Sequence, residues 1–267
     1  MVYNDYEESF ASAPVRYALD DHDSDEELEA SVQNQKITVE INLAMVTKED
    51  DDTKWTIVIG PEGPGSVYIN SLEGQSTTAI GLITRLFEGT HPEIKATIYQ
   101  LVKQPILLIP FTTQIPPEEA SLYTKSILNS FSGKMDKVIV LDSFTTTGYI
   151  TKDYNENLAP PFLRILQTTT APIVKGLAPY ECPNIIKGFT ASLISYCEMH
   201  SIPCYNLLTL QESVYAALLI TTETLEAYNI GLRQLGLDFS FNEHLMRKIL
   251  KTRHTGRIDD NHHRLYL

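Results

Sequence analysis

The sequence lacks any long apolar run, and this absence excludes several classes of protein. Its longest runs, such as Ile106-Leu107-Leu108-Ile109, fall far short of the roughly 20 residues that span a bilayer. No apolar segment follows Met1 either, because the chain turns acidic within its first residues. We therefore expect a soluble protein with no secretory signal and no membrane partner.

Cysteine is scarce as well, with only three residues, Cys182, Cys197 and Cys204. An odd number in a chain without a signal segment predicts unpaired thiols in a reducing compartment, the cytoplasm and also the nucleus. The spacing of Cys197, His200 and Cys204 could begin a zinc site, but structural zinc usually takes four ligands in paired short spacings. We expect buried thiols rather than a metal site, and no cofactor.

Clusters of basic residues are also missing, although the chain is strongly charged. Its net charge is −13, and residues 1–35 hold 10 Asp and Glu residues against Arg16 alone, which leaves 24 acidic and 20 basic residues in the rest. Nucleic-acid binding needs clustered Lys and Arg, so we exclude a nucleic-acid partner. Seven of the ten residues at 20–29 are acidic, and such a block cannot offset its ordering entropy by burial. Residues 1–35 are therefore predicted to be a disordered acidic arm.

The sequence does contain enough apolar and aromatic residues for a sizeable core. The hydrophobic fraction is 43%, with 14 Tyr and 9 Phe, so neither a disulfide nor a metal is needed for stability. Alternating strand and helix patterns predict a single α/β domain over residues 36–252, a mixed-sheet sandwich with flanking helices. The predicted strands are 37–43, 55–59, 96–102, 106–109, 138–141 and 203–208, and the predicted helices are 76–88, 116–133, 184–199, 222–235 and 242–251.

The start of this domain has the period of two that is typical of a half-buried strand, because apolar and polar residues alternate over 37–43. Antiparallel pairing of the first two strands within 36–59 is compatible with this pattern, around an acidic turn at 49–52. Further along, the segment 144–158 is rich in Thr, Tyr, Asn and charge. It predicts a long exposed loop.

The glycine-rich segment 60–66 follows a predicted strand, where phosphate-binding loops occur. Its details argue against a phosphate: Pro61 and Pro64 have no N–H to donate, Glu62 brings like charge, and no Lys comes next. We expect a strand-connecting turn. The sequence also lacks the nucleophile elbow G-x-S-x-G, the zinc motif H-E-x-x-H and a dinucleotide fingerprint. We expect a protein that is not an enzyme, with a phosphorylase-like or hydrolase-like α/β enzyme as the alternative.

The segment 253–267 loses apolar periodicity until its last three residues, Leu265, Tyr266 and Leu267. Two aliphatic side chains flank a Tyr, and a free carboxylate follows. A flexible polar tether that ends in this way suits insertion into a socket. The apolar side chains would be buried, the phenol hydrogen-bonded, and the carboxylate met by a Lys or by backbone N–H groups.

These last residues resemble the hydrophobic-Tyr-any (HbYX) ending with which proteasome activators and assembly chaperones dock into pockets between α-ring subunits. The body of the chain agrees, because residues 160–230 are similar to the first subunit of the proteasome assembly chaperone heterodimer. The similarity is carried by Pro160-Pro161-Phe162-Leu163-Arg164, Leu166, Thr168, Pro183-Asn184-Ile185-Ile186, Ala191, Leu193-Ile194-Ser195-Tyr196-Cys197 and Ile202-Pro203. For 160–164 we expect a rigid entry to the next segment, with Phe162 and Leu163 in the core.

The resemblance implies a non-catalytic chaperone subunit. Such a subunit would form a heterodimer with a related second chaperone subunit and would bind proteasome α-subunits and core particle assembly intermediates. It would promote α-ring formation and block premature activator binding. Leu265 would fill the apolar part of the α-ring pocket, Tyr266 would hold the tail conformation, and the Leu267 carboxylate would pair with a pocket Lys. A regulator of mature proteasomes is the other alternative, although the sequence contains no ATPase motif.

Overall fold

An eight-stranded mixed sheet forms the centre of the fold. The computed structural model describes residues 37–43, 53–87, 90–151, 158–214 and 217–255, all within one compact unit that begins at Ile37. The strands are β1 (Ile37–Leu43), β2 (Trp55–Gly60), β3 (Thr77–Phe87), β4 (Glu93–Leu101), β5 (Ile106–Pro110), β6 (Met135–Thr145), β7 (Leu163–Gln167), β8 (Cys204–Gln211), β9 (Ser213–Val214) and β10 (Ala217–Leu218). The helices are α1 (Pro64–Asn70), α2 (Ala120–Ser130), α3 (Gly188–Met199), α4 (Thr222–Gln234) and α5 (Glu243–Thr255), with short 3-10 turns at Pro117–Glu119 and Thr146–Gly148.

The strand order in the sheet is β1-β3-β4-β5-β2-β6-β8-β7. Strands β5, β2, β6 and β8 run parallel in the centre, while β4, β3 and β1 on one side and β7 on the other are antiparallel to their neighbours. The predicted α/β sandwich is confirmed. Antiparallel pairing of β1 with β2 is wrong, because β1 pairs with β3, and the fully buried β2 lies between β5 and β6. An apolar strand of this kind suits the centre of a parallel sheet.

Helices cover both faces of the sheet. On one face α2 and α3 bury Tyr123, Phe189 and Leu193 against the central strands. On the other face α1, α4 and α5 form a second core that includes Tyr68 and Tyr228. No helix in the described part of the chain combines the length and the apolar composition that crossing a bilayer requires.

Most of the predicted elements are confirmed, with small shifts at their ends. In β1, Val39 is buried between exposed Thr38 and Glu40, as the alternation predicted. Helix α3 begins later than predicted, at Gly188 instead of 184. Helix α5 runs to Thr255, three residues past the predicted domain end at 252. An established helix continues at little cost without apolar side chains, because each further residue adds one hydrogen bond.

The helix predicted at 76–88 is wrong, because these residues form strand β3. A β-bulge inserts Ile80 between the pairs Ala79–Tyr99 and Gly81–Ile98. The bulge interrupts the alternation of the strand, so that Ile80 and Ile83 both enter the same core. Apolar residues three apart also occur on one face of a helix, and this spacing produced the wrong prediction.

Four further elements were missed, and one predicted loop is wrong in part. The sequence did not predict α1, which is short and almost wholly buried, the edge strand β7, or the two-residue strands β9 and β10. Within the predicted exposed loop at 144–158, Phe144 and Tyr149 are buried in an aromatic cluster. The predicted acidic arm at 1–35, the turn at 49–52, residues 152–157 and the segment 256–267 lie outside the described residues.

Candidate functional site at the carboxyl end of the sheet

The predicted binding residues Leu265, Tyr266 and Leu267 lie outside the described residues. The last described element before them, α5, is packed against the body of the protein. Helix α5 begins after Asn242, whose backbone N–H donates to the Ser71 carbonyl at 2.7 Å and whose side-chain oxygen accepts from the Leu245 N–H at 3.0 Å. Met246 is buried in the core shared with α1 and α4. The chain therefore enters the segment 256–267 from a helix that is packed on the body of the protein.

The parallel strands create an opening at their carboxyl ends. After β2 the chain turns into α1 on one face of the sheet, whereas after β5 it turns into α2 on the opposite face. Since β2 and β5 are parallel neighbours, their connections diverge and leave a crevice between them. Ligands of open α/β sheets bind at such points, where the direction of the connections switches. This end of the sheet is the first place to look for a binding site.

A cavity of about 240 Å³ lies in this crevice. Its lining comes from the turns after β2 and β5, from the end of β6 and from the start of α3, and it includes Glu62, Phe111, Thr113, Asp142, Lys187 and Thr190. Phe111 packs edge-on against Phe189, another lining residue, with ring centroids 5.0 Å apart. The cavity therefore has an apolar aromatic wall and a small number of polar groups.

Asp142 lies within β6, near its carboxyl end, and lines this cavity. Its carboxylate accepts hydrogen bonds from the Thr190 hydroxyl and, at 2.8 Å, from the Ser143 N–H. Burial raises the pKa of the Asp142 carboxyl, and the two hydrogen bonds offset part of that rise. Tyr228 holds the backbone from the other face, since its hydroxyl donates to the Asp142 carbonyl at 2.6 Å.

Neither Asp142 nor Thr190 was predicted as a site residue from the sequence. A usable signal was present: Asp142 is the first polar residue after the apolar run at 138–141, and it lies close to the carboxyl end of a parallel strand. As far as the chain is described, the cavity lining contains no Ser, Cys or His. It can bind a polar ligand through the Asp142 carboxyl and the Thr190 hydroxyl.

The motif at 160–164 begins β7 and places Arg164 in an aromatic cluster. The guanidinium carbon lies 4.1 Å from the centroid of Phe162, and Nε donates to the Tyr149 hydroxyl at 2.9 Å. Phe144 and Tyr180 complete the cluster. The expected core position of Phe162 is confirmed, whereas Leu163 is only half-buried. Stacking and the hydroxyl contact together hold a buried cation here.

The glycines at 60–66 have a packing explanation. A Cβ on Gly65 would lie 1.9 Å from the Leu141 carbonyl oxygen, and one on Gly60 would lie 2.6 Å from the Gly65 carbonyl carbon. These residues therefore let α1 sit directly on β6. The expected turn is real, but it leads from β2 into a helix instead of a second strand.

Cys197 and Cys204, two of the residues weighed for zinc, are both fully buried and hydrogen-bond to each other. His200 instead stacks on Tyr196, with ring centroids 4.1 Å apart. Among the described residues, no three His, Cys, Asp or Glu side chains come together in a way that could hold a metal ion.

Comparison with known proteins identifies relatives of this chain. The family model described as PAC1: Proteasome assembly chaperone 4 matches residues 84–262. The protein named Proteasome assembly chaperone 1 of Dictyostelium discoideum is 24% identical over 218 residues, which cover 76% of this chain and 79% of the relative. Its namesake in Danio rerio is 23% identical over 196 residues, covering 68% and 70% of the two chains.

Solved structures resemble the fold. PbaA of Pyrococcus furiosus, described as an archaeal homolog of proteasome-assembly chaperone, has a TM-score of 0.51 at 17% identity, covering 82% of this chain and 95% of PbaA. PbaB of the same organism, described as an archaeal proteasome activator, has a TM-score of 0.53 at 12% identity, covering 82% and 96%. At these identities the likeness concerns the fold alone. Because the family match spans well over half of the sequence, from 84 to 262, the chain belongs to the PAC1 family of proteasome assembly chaperones.

Proposed function

We propose that this chain is one subunit of a heterodimeric chaperone that promotes formation of the proteasome α-ring. It pairs with a related second chaperone subunit and binds α-subunits and core particle assembly intermediates. It docks through Leu265, Tyr266 and Leu267, and it keeps activators off the ring until assembly is complete. Membership of the proteasome assembly chaperone family is the observation that carries this proposal.

The placement of α5 supports docking through the tail. The 12 residues at 256–267 follow a helix whose Met246 is buried in the core. At ~3.3 Å per extended residue, the tail can reach about 40 Å from the end of α5. A tether of this length allows the last residues to enter a pocket while the body of the chaperone stays on the outer face of the ring.

The chemistry of the last three residues suits such a pocket. Leu265 supplies apolar surface, and Tyr266 combines an apolar ring with a hydroxyl that can bond to the pocket wall. The carboxylate of Leu267 would form a charge-assisted hydrogen bond with a Lys of the α-ring, which is stronger than a bond between neutral groups. The affinity of the tail for the pocket then depends on both the Tyr266 side chain and the Leu267 carboxylate.

A chaperone role is favoured over an enzyme by the family match and by the relatives that are named as assembly chaperones. The described lining of the cavity at the end of the sheet offers no Ser, Cys or His. The three cysteines are free thiols, in keeping with the reducing cytoplasm, and also the nucleus, that we propose as the place of action.

Affinity purification of the tagged full chain, co-expressed with the second chaperone subunit and α-subunits, tests the proposal. Mass spectrometry should recover the second subunit together with α-subunits and half-assembled particles. Deletion of Leu265-Tyr266-Leu267 should remove most of the α-subunits but keep the second subunit. Tyr266→Ala should reduce the recovery of α-subunits as the deletion does. Tyr266→Phe, which keeps the aromatic ring but loses the hydroxyl, should recover an amount between that of Tyr266→Ala and that of the unchanged chain.

Three results would contradict parts of the proposal. Equal recovery of α-subunits by the full and the truncated chain would exclude docking through the tail. Recovery of mature particles alone would favour a regulator of mature proteasomes. Purification without any second chaperone subunit would exclude the heterodimer. Thermal unfolding of the truncated chain should match that of the full chain, so that a folding defect cannot account for lost binding.

A further inference from the structure

We propose that the cavity between the carboxyl ends of β2 and β5 binds a small aromatic compound that carries an amide or amidine group. The position is the first argument. The connection after β2 leads to one face of the sheet and the connection after β5 to the other, and the cavity opens between them. Open α/β sheets bind their ligands at this kind of switch point.

The size and the wall of the cavity indicate an aromatic ring. An apolar cavity of about 150 Å³ is known to accept benzene. The present cavity, at about 240 Å³, leaves room for a ring with one polar substituent. Phe111 and Phe189, which are 1% and 6% exposed, meet edge-on at 5.0 Å and provide an aromatic surface for the ring.

The polar groups indicate the substituent. Asp142 lines the cavity, and its carboxyl group accepts one bond each from Thr190 and Ser143. A carboxylate has about four acceptor positions, so capacity remains for two further donors. An amide or amidine on the ring would supply N–H donors to this group. An anionic ligand would instead meet the like charge of Asp142, whereas the charges of the exposed lining residues Glu62 and Lys187 oppose each other.

Among the described residues, the cavity is lined by the turns after β2 and β5, the end of β6 and the start of α3, and none of these elements belongs to the proposed docking tail. A ligand there would act on the body of the chaperone. Loss of tail binding to the α-ring would leave the ligand site intact, and loss of the ligand site would leave the tail intact.

Three probes of nearly equal shape test the inference: benzamidine, benzamide and benzoate, titrated into the ¹⁵N-labelled full chain and followed by amide chemical shifts. We expect saturable binding of benzamidine and benzamide, with shifts at Thr113, Gly188 and Thr190. Benzoate should bind at least about tenfold more weakly, because it offers no N–H donor and carries like charge.

Two variants and one control complete the test. Asp142→Asn should weaken benzamidine binding at least about tenfold, because the carboxylate that attracts the cation is gone. Thr113→Trp, which changes an exposed lining residue, should close the cavity without touching Asp142. Asp136→Asn, at an exposed position near the other end of β6, should bind the probes as the unchanged chain does.

The inference is overturned if no probe binds saturably, if all three bind equally, or if Asp142→Asn binds benzamidine as well as the unchanged chain. If no probe binds and the second chaperone subunit protects the cavity amides, the cavity is part of a protein contact and not a ligand site. Thermal unfolding of each variant shows whether it is folded. If Asp142→Asn does not fold, loss of probe binding by Thr113→Trp still tests the inference.

Discussion

Arg85 on β3 and Glu119 in the turn before α2 form a bidentate ion pair that ties the antiparallel side of the sheet to the helix layer. Nε donates to both carboxylate oxygens, at 3.1 and 2.9 Å, and Nη2 donates to Oε1 at 2.6 Å. The Glu119 side chain is only 5% exposed and that of Arg85 is 23% exposed. Two parallel N–H···O bonds add geometric specificity to this contact.

We predict that Glu119→Gln lowers the free energy of unfolding by about 1–3 kcal/mol. The substitution removes the buried negative charge that pairs with the Arg85 guanidinium and leaves only one acceptor oxygen. Urea denaturation of the purified chain measures the change. The matched control is Glu118→Gln at the neighbouring exposed position, which should change little. Equal effects of the two substitutions would show that the ion pair does not stabilise the fold.

Gly65 allows α1 to pack directly on β6. We predict that Gly65→Ala lowers the free energy of unfolding by at least about 3 kcal/mol, because its Cβ would have to lie 1.9 Å from the Leu141 carbonyl oxygen. Gly148→Ala is the control, since a Cβ there has its nearest neighbour, Thr145 Oγ1, at 3.6 Å. Circular dichroism during thermal unfolding compares the two. A similar melting temperature for both variants would contradict the predicted clash.

Tyr123 and Tyr68 are fully buried tyrosines with different hydroxyl environments. Among the described residues the Tyr123 hydroxyl has no hydrogen-bond partner, whereas the Tyr68 hydroxyl donates to Asn229 Oδ1 at 2.6 Å. Burial raises the pKa of both phenols. We expect Tyr123→Phe either to leave the free energy of unfolding unchanged or to raise it by up to about 1 kcal/mol, since it removes a buried hydroxyl that has no hydrogen-bond partner among the described residues.

For Tyr68→Phe we expect a loss of about 1–3 kcal/mol, because the Asn229 amide oxygen is left without its donor. Chemical denaturation of both variants under one set of conditions gives the comparison. If Tyr123→Phe destabilised the protein as much as Tyr68→Phe, a partner for the Tyr123 hydroxyl would have to exist.

The pKa of Asp142 predicts a dependence of stability on pH. Burial raises the pKa of this carboxyl above its ordinary value, so the folded chain holds the proton more tightly than the unfolded chain. Its contribution to stability is therefore complete below the unfolded pKa of about 4 and is lost as pH rises through the folded pKa. Asp142→Asn cannot ionise and avoids this loss.

We expect the free energy of unfolding of Asp142→Asn, relative to the unchanged chain, to increase as pH rises from 4 towards 8. Urea denaturation at several pH values gives both curves. The exposed Asp136→Asn serves as the control and should follow the unchanged chain. A constant difference between the Asp142→Asn curve and that of the unchanged chain would rule out the raised pKa.

Elements with a strong local pattern could be predicted from the sequence. Strand β1 shows its alternation because one face is buried and the other exposed. Helix α2 follows two prolines and two glutamates that favour a helix start, and α4 begins with a capping box between Thr221 and Thr224. In each case the signal lies within a few residues, because it depends on backbone geometry and capping.

Strand β3 and the partner of β1 could not be predicted in this way. The bulge at Ile80 changes which residues of β3 face the core, and its cause is the pairing with β4. Likewise, β3, β4 and β5 lie between β1 and β2 in the sheet, although β1 and β2 are neighbours along the chain. Strand order depends on long-range contacts that a local pattern does not contain.

The sequence by itself determined the fold class, most of the elements and the resemblance to assembly chaperones, and it alone carries the prediction for Leu265, Tyr266 and Leu267. Only the tertiary structure decided that Asp142 meets Thr190 beside Phe111, and that Arg164 stacks on Phe162 next to Tyr149. These groups are far apart along the chain. Sheet order and helix packing bring them together, and burial in that packing is what shifts the Asp142 pKa.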